Sequence, residues 1–208
     1  MASEQIITGV VLAGGRSRRL GRDKLVERVA GEPLIERVVT RLSEIAGEIV
    51  AVVADERAGS ALGLAASVRV VADLYPGKGS LGGIYTRVAA SANSWTLVVA
   101  GDMPFLSLPL LRHMSTLREG YDVVVPVLDG RPEPTHALYA KACLEPMQRR
   151  LEQDMLKITG FFPDVRVREV PEDELRRYDP NLLSFFNINT QEDVDRAEAL
   201  AAQASEGV

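Results

Sequence analysis

Cysteine and histidine are scarce in this chain of 208 residues, which has one cysteine, Cys143, and two histidines. A single cysteine excludes an internal disulfide and any zinc site built mainly from cysteine thiolates. We therefore expect Cys143 to be a structural thiol.

Long hydrophobic runs and a positive net charge are also missing. The apolar stretches are short and interrupted, and the first residues, MASEQ, lack the basic start and apolar core of a secretion signal. The formal net charge is −5, which does not suit a protein that binds nucleic acids or anionic membranes. We expect a cytoplasmic protein with neither kind of partner. A hydrophobic content of 46% over 208 residues is enough for one core, so we expect one domain.

Positive charge is concentrated in one segment, VVLAGGRSRRLGRDK at residues 10–24. Gly14 and Gly15 have no Cβ, so the backbone there can turn its N–H groups toward a bound anion. Five cations follow within ten residues, namely Arg16, Arg18, Arg19, Arg22 and Lys24. The segment predicts a polyphosphate site. It matches neither the G-x-G-x-x-G nor the G-x-x-x-x-G-K-[ST] pattern, which disfavours an ordinary dinucleotide or P-loop fold.

Apolar runs alternate with helical patterns along the first half of the chain. The runs at 6–12, 49–53, 68–71, 95–100 and 123–127 are typical of buried strands, and residues 34–46 have the spacing of an amphipathic helix. This alternation predicts an α/β fold with a mostly parallel sheet between helices, whose ligands bind at the carboxyl ends of the strands. The loops at 12–24, 73–83 and 101–104 each follow a predicted strand, so we expect them at one edge.

The second half is less regular. Prolines around residues 126–134 predict a hairpin or an irregular excursion that ends in a strand near 136–139. Residues 142–151 predict a helix, 155–162 are ambiguous, and 165–170 could form a strand. Thr190, followed by Glu192 and Asp193, is typical of the start of a terminal helix.

The segment LAGGRSRRLGRDK at 12–24 resembles the signature L-A-G-G-x-S-x-R-M-G-x-D-K of the MobA-like nucleotidyltransferases, the molybdenum cofactor guanylyltransferases. Leu20 is its one departure, replacing methionine with a residue of similar volume. Four further segments match in the family's order: GKGSLGGI at 77–84, GDMPFL at 101–106, EPTHALY at 133–139 and FFNINTQEDV at 185–194. The resemblance covers nearly the whole chain. It implies a Rossmann-like three-layer α/β/α fold of the nucleotide-diphospho-sugar transferase type, with a nucleotide-binding half at about 1–106 and an acceptor-binding half at about 107–203 of one domain spanning 1–208.

By this resemblance, the protein would transfer GMP from GTP to the terminal phosphate of molybdopterin or the molybdenum cofactor and release pyrophosphate. A phosphate monoester is already ionised at neutral pH and needs no protein base. Catalysis would then consist of charge neutralisation and positioning. The resemblance implies that Arg19 and Lys24 neutralise phosphate charge and that Asp102, at the end of an apolar strand, holds Mg²⁺ against the phosphates.

The remaining site residues are also implied by the resemblance. The nucleotide would contact Leu12, Ala13, Gly14, Gly15, Lys24, Asp55, Asp73, Gly82 and Asp102, and the acceptor would contact Asn187, Asn189 and His136. Asp73 could instead be only a turn residue, the two asparagines could only satisfy loop backbone, and His136 could be a structural histidine. In relatives, L-A-G-G tends to accompany guanine, whereas L-A-A-G tends to accompany cytosine nucleotides.

Two other functions remain open at the level of sequence. One is a cytidylyltransferase acting on molybdopterin or on a sugar-alcohol phosphate, and the other is a nucleotide-binding module without catalytic activity. The presence of Lys24 and Asp102 argues against the second. Transient contact with other proteins of molybdenum cofactor biosynthesis or insertion is a further expectation of the resemblance, whereas the metal state of the acceptor and the oligomeric state are not predicted.

Overall fold

The computed structural model describes residues 7–12, 27–53 and 63–206. Its helices are α1 (Leu34–Ser43), α2 (Gly79–Ala90), α3 (Leu108–Thr116), α4 (Leu144–Glu152), α5 (Glu172–Leu175) and α6 (Gln191–Glu206). Its strands are β1 (Thr8–Leu12), β2 (Arg28–Val29), β3 (Glu32–Pro33), β4 (Glu48–Val53), β5 (Val68–Ala72), β6 (Trp95–Ala100), β7 (Val123–Leu128), β8 (Arg131–Pro132), β9 (His136–Ala140) and β10 (Val167–Val170). Short 3₁₀ helices occupy Lys141–Cys143, Ile158–Asp164 and Leu183–Phe185.

The main sheet has the strand order β10-β7-β9-β6-β1-β4-β5, and β8 pairs with β7 outside this path. Strand β1 lies in the middle and is parallel to both β4 and β6. Strand β5 continues the parallel half, while β9 runs antiparallel to both β6 and β7. The predicted mostly parallel sheet is therefore confirmed, with β9 and the short β8 as reversed strands.

Helices cover both faces of the sheet, as the apolar strands require. On one face, α1 and α3 pack through side chains such as Ile35 and Leu110 against Val11 and Val99. The opposite face carries α2 and α4, whose side chains form a separate cluster with Val98 of β6. Because neighbouring residues of a strand point to opposite faces, Val98 and Val99 contribute to different layers. These contacts confirm the three-layer α/β/α arrangement.

The boundaries of several predicted elements shift in the structure. Helix α1 ends at Ser43 rather than at 46, because the following residues turn and the N–H of Gly47 donates to the carbonyl of Ile7 (3.1 Å). The ambiguous stretch at 155–162 contributes to the 3₁₀ helix Ile158–Asp164.

None of the helices in the described parts of the chain is both long and apolar enough to cross a membrane.

The parallel strands end at a common level, which we call the carboxyl edge. Leu12, the last residue of β1, pairs with Val52 of β4 and with Ala100 of β6. In the next pair, Val53 of β4 lies opposite Ala72 of β5. The residues that follow these strands therefore lie along one edge of the sheet, which is the edge where the sequence predicts the site.

Helix α2 begins at this carboxyl edge and is anchored at its opposite end. The ammonium group of Lys141 donates to the carbonyls of Val88, Ala89 and Ser91 at distances of 2.6, 3.1 and 2.7 Å. These carbonyls belong to the end of the helix, where backbone acceptors lack intrahelical partners and a positive charge is favourable. The Lys141 cap thus fixes the helix whose first turn faces the candidate site.

Candidate active site

The predicted site residues fall into two groups with respect to the structure. Ala13, Gly14, Gly15, Arg19, Lys24 and Asp55 lie outside the described residues. Leu12 ends β1, while Asp73 and Asp102 directly follow β5 and β6 at the carboxyl edge. The two carboxylates therefore lie on the same edge, separated by the ends of β1 and β4, and the predicted strand-end positions of both are confirmed.

Asp102 connects the nucleotide side of the site to the acceptor side. Its side chain is buried, with 9% of the residue exposed. Its carbonyl accepts a hydrogen bond of 3.0 Å from the backbone N–H of Ile188, the residue between Asn187 and Asn189. Residues that are far apart in sequence are thus joined directly. The predicted acceptor contacts Asn187 and Asn189 belong to residues 183–189, which we call the acceptor segment, and this segment lies beside the predicted metal ligand.

A network of hydrogen bonds fixes the start of this acceptor segment against the loop after β6. The carboxylate of Asp179 accepts from the N–H groups of Leu183 (3.1 Å) and Ser184 (2.8 Å). The hydroxyl of Ser184 in turn accepts from the N–H of Ser107 (2.8 Å) and donates to the carbonyl of Phe105 (3.4 Å). Buried polar groups with several partners are held in one conformation, so this network positions residues 183–189.

The two asparagines stand on either side of a buried residue. Ile188 is fully buried against α6, whereas Asn187 is half-buried and Asn189 is exposed. The side-chain amide of Asn187 donates to the carbonyl of Phe185 (3.2 Å). The anchoring of Ile188 between them holds both asparagines beside Asp102.

A capping box fixes the other end of the acceptor segment at the start of α6. The carboxylate of Asp193 accepts from the N–H groups of Asn189 and Thr190, both at 2.9 Å, and the hydroxyl of Thr190 accepts from the N–H of Asp193 (3.2 Å). This reciprocal arrangement is a common way to begin a helix. The hydrogen bond from Asn189 is the main reason why the pKa of Asp193 is lowered.

His136, the first residue of β9, is fully buried next to the acceptor segment. Its ring centroid lies 4.8 Å from that of Phe185. Neither ring nitrogen has a hydrogen-bond partner among the described residues. Burial lowers the pKa of His136 to about 4, so the imidazole is neutral at neutral pH and retains one donor and one acceptor.

Asp73 is held by the loop and helix that follow it. Its N–H donates to the carbonyl of Val53 (2.9 Å), and its Oδ1 atom accepts from the N–H of Tyr75 (3.1 Å) and from the hydroxyl of Thr86 (2.7 Å). Gly82 allows this loop to lie close to α2, since a Cβ there would come within 3.0 Å of the Tyr75 carbonyl oxygen. The structure thus gives Gly82 a packing role at the edge of the site.

A buried cation in this region was not predicted from the sequence. Arg87 is only 2% exposed, and its Nη2 atom donates to the carbonyl of Val52 (3.4 Å). Burial lowers the pKa of Arg87 to about 9, and the negative charge of Asp73 opposes this shift. Thr86 was missed as well. The available signal for Arg87 was that it is the single charged residue in the sequence of α2.

The chemistry that this edge can support follows from its charges. No group of three or more His, Cys, Asp or Glu side chains that could hold a metal ion occurs among the described residues. A carboxylate such as that of Asp102 suits Mg²⁺, which is commonly bound by one or two carboxylates together with waters and substrate phosphates. The first turn of α2 carries no acidic residue, so its N–H groups favour a nearby anion.

Comparison with known proteins identifies the family of the chain. The model of the MobA-like NTP transferase domain matches residues 9–162. The chain belongs to this family. A relative from Pelotomaculum thermopropionicum, named "Probable molybdenum cofactor guanylyltransferase", is 40% identical over 200 residues, which are 96% of this chain and 96% of the relative. A molybdenum cofactor guanylyltransferase from Desulfosudis oleivorans is 35% identical over 93% of this chain and 95% of its own.

A solved structure is similar to this MobA-like nucleotidyltransferase over nearly its whole length. It is the molybdopterin-guanine dinucleotide biosynthesis protein A from Archaeoglobus fulgidus, with a TM-score of 0.83, 33% sequence identity, and coverage of 95% of this chain and 100% of the other. The family model includes Leu12, Asp73, Asp102 and His136 but ends before Asn187. The acceptor segment is therefore covered by the full-length relatives and not by the family model.

Proposed function

We propose that this protein transfers GMP from GTP to the terminal phosphate of molybdopterin or its molybdenum-loaded form and releases pyrophosphate. The names of the relatives at 40% and 35% identity support this reaction. The structural observation that carries the proposal is the 3.0 Å hydrogen bond from Ile188 to the carbonyl of Asp102. It joins the residue between Asn187 and Asn189 to Asp102, which supports a transfer between two substrates bound side by side.

The reaction needs little acid–base chemistry from the protein. An oxygen of the acceptor phosphate would attack the α-phosphorus of GTP, and the bond from that phosphorus to the bridging oxygen would break to release pyrophosphate. The second pKa of a phosphate monoester is about 6, so the attacking oxygen is already ionised at neutral pH. The difficulty is the repulsion between two anions, which Arg19 and Lys24 would reduce by neutralising phosphate charge.

Asp102 would hold the magnesium ion that accompanies GTP. The buried carboxylate fits this role, because the nucleotide and water would supply the other oxygen ligands. When bound, the ion would withdraw negative charge from the phosphate oxygens. Asp102 would therefore both retain the nucleotide and reduce the repulsion that the acceptor meets.

The other polar groups at the carboxyl edge would bind and orient the two substrates. Asp73 would accept hydrogen bonds from the nucleoside. The nucleotide would also contact Leu12, Ala13, Gly14, Gly15, Asp55 and Gly82. Asn187, Asn189 and the neutral imidazole of His136 would contact the acceptor. The ring nitrogens of His136 lack partners in the described part of the chain but are fully buried, so this contact would require the residues that cover the ring to move.

The test is product formation by the purified protein from GTP or CTP, Mg²⁺ and molybdopterin, followed by mass analysis. We expect the guanine dinucleotide and pyrophosphate from GTP and much less product from CTP. A preference for CTP would contradict the guanylyl transfer and indicate a cytidylyltransferase, while no product from either nucleotide would favour a binding module.

The role of Asp102 is tested by the Asp102→Asn variant in the same assay. We expect it to lose about 100-fold or more in rate, on the scale seen when a preorganised electrostatic group is removed. Asp122→Asn is a matched control, because Asp122 precedes β7 at the opposite edge and pairs with Arg166 (2.8 Å). Unchanged magnesium-dependent activity of Asp102→Asn would exclude Asp102 as the ligand.

A further inference from the structure

The carboxylate of Asp73 is held by one of its two oxygens. Oδ1 accepts from the N–H of Tyr75 (3.1 Å) and the hydroxyl of Thr86 (2.7 Å). Oδ2 accepts no hydrogen bond from the described residues. A carboxylate has about four acceptor sites, so Asp73 is anchored through Oδ1 while Oδ2 keeps its capacity to bind a ligand.

Thr86 is well suited to hold this carboxylate in one orientation. It is 1% exposed, and its hydroxyl oxygen accepts from the N–H of Leu74 (3.0 Å). The single hydroxyl proton has two acceptors within reach, Oδ1 of Asp73 at 2.7 Å and the carbonyl of Gly82 at 3.0 Å. The ionised acceptor at the shorter distance is the stronger partner, so the proton is directed to Asp73.

The orientation comes from a rigid helix and not from the loop itself. Thr86 lies within α2, whose last carbonyls are capped by Lys141. The loop between Asp73 and the helix packs so closely that Gly82 leaves no room for a Cβ. The buried guanidinium of Arg87, the next residue, attracts the negative charge of Asp73. The helix therefore provides both a hydrogen bond and a positive charge to one carboxylate.

We propose that Thr86 is a positioning residue for nucleotide binding, which acts by anchoring Oδ1 of Asp73 so that Oδ2 accepts a hydrogen bond from the nucleoside. The donor is a ribose hydroxyl or the exocyclic amino group of guanine. This inference rests on the proposed function, since it takes GTP as the nucleotide. It extends that function by assigning part of the nucleotide affinity to a residue that makes no contact with the ligand.

The test measures GTP binding by isothermal titration calorimetry with Mg²⁺ and without the acceptor. We expect Thr86→Val, which keeps the side-chain shape but removes the hydroxyl, to raise the Kd about tenfold, the equivalent of about 1.4 kcal/mol. Thr86→Ser keeps the hydroxyl and should bind nearly as tightly as the wild type. Wild-type affinity in Thr86→Val, or equally weak binding in Thr86→Ser, would overturn the proposal.

Thr8→Val is a matched control at the opposite edge of the sheet. Thr8 is also buried and donates to a carboxylate, that of Glu48, at 2.8 Å. This variant should lose stability in urea unfolding but keep the wild-type Kd. If Thr86→Val does not fold, Thr86→Ala replaces it in the test, because it also removes the hydroxyl and should show the same increase in Kd of about tenfold.

A double-mutant cycle with Asp73→Ala separates positioning from a general structural effect. If Thr86 acts through Asp73, adding Thr86→Val to Asp73→Ala should leave the Kd unchanged, whereas a further tenfold loss would overturn the proposal. Titration with 2′-deoxy-GTP, 3′-deoxy-GTP and ITP then identifies the donor. Thr86→Val should not raise the Kd for the analogue that lacks the donor group. A penalty that persists with all three analogues would also overturn the proposal. Absence of GTP binding in the wild type would instead contradict the proposed function.

Discussion

Two buried threonines face each other across strands β1 and β6 but differ in their hydrogen bonding. Thr8 donates to Glu48 and accepts from Ser91 and Asn93. The hydroxyl of Thr96 has no partner among the described residues, although the residue is fully buried. Removing an unpaired hydroxyl from the core relieves its desolvation cost without losing a hydrogen bond.

We expect Thr96→Val to raise the free energy of unfolding by about 1 kcal/mol, because a buried polar group without a partner costs about that much or more. Valine has nearly the same shape as threonine, so the packing should be retained. The measurement is the midpoint of urea unfolding, with Thr8→Val expected to shift the midpoint in the opposite direction. A loss of stability in Thr96→Val would mean that the hydroxyl has a partner.

Cys143 is another residue for which burial dominates the chemistry. The thiol is buried and donates to the carbonyl of Asp122 (3.2 Å), and burial raises its pKa to about 12. The thiolate, which is the reactive form, is therefore suppressed at neutral pH. This agrees with the structural role that the sequence predicts for the lone cysteine.

At the scale of elements, helix α1 packs unusually close to strand β1. A Cβ on Gly9 would lie 2.9 Å from Cδ1 of Ile49, 3.0 Å from Cβ of Ala46 and 3.3 Å from Cβ of Leu42. The Cβ atoms of Ala46 and Leu42 cannot move without the backbone. The absence of a side chain at Gly9 thus allows the end of α1 and the turn after it to rest on the central strand.

We expect Gly9→Ala to lower the free energy of unfolding by about 1–3 kcal/mol, the usual cost of overpacking a filled core. Gly160→Ala is the matched control, since its nearest neighbour would be the Cβ of Lys157 at 3.9 Å. Chemical denaturation of both variants is the measurement. Equal stabilities of the two variants would show that α1 can move away from β1 at little cost.

At the scale of the whole molecule, stability should depend on the protonation of His136. Burial lowers the pKa of this histidine to about 4, from an ordinary value of 6.5. As the pH falls below 6.5, the unfolded chain binds a proton that the folded protein does not take up until about pH 4. The unfolded state is therefore favoured progressively across this range.

We expect His136 to contribute a loss of roughly 3 kcal/mol of stability between pH 6.5 and pH 4, because a tenfold change in proton affinity is equivalent to about 1.4 kcal/mol. Urea unfolding of the wild type and of His136→Leu at several pH values in this range is the measurement. The variant should show a flatter dependence on pH, because it has no group to titrate at this position. Parallel curves for the two proteins would contradict the buried, neutral imidazole.

Much of the fold could be predicted from local patterns. The apolar runs correspond to β1, β4, β5, β6 and β7, and Asp73 and Asp102 follow strands as expected. Such runs are informative because a strand buried on both faces needs apolar side chains throughout. The position of β9 between β6 and β7 was not predicted, since strand order depends on which neighbours pair.

The family and the types of residue at the site could be predicted from the sequence, because glycine loops, strand-end carboxylates and a capping threonine are recognised from short local patterns. The junction of Asp102 with Ile188 and the anchoring of Asp73 by Thr86 could not be read there. Each joins groups that come into contact only when helices and loops pack on the sheet. Thr86 has no unusual sequence context, and the role proposed for it depends on α2, which brings its hydroxyl within 2.7 Å of a carboxylate.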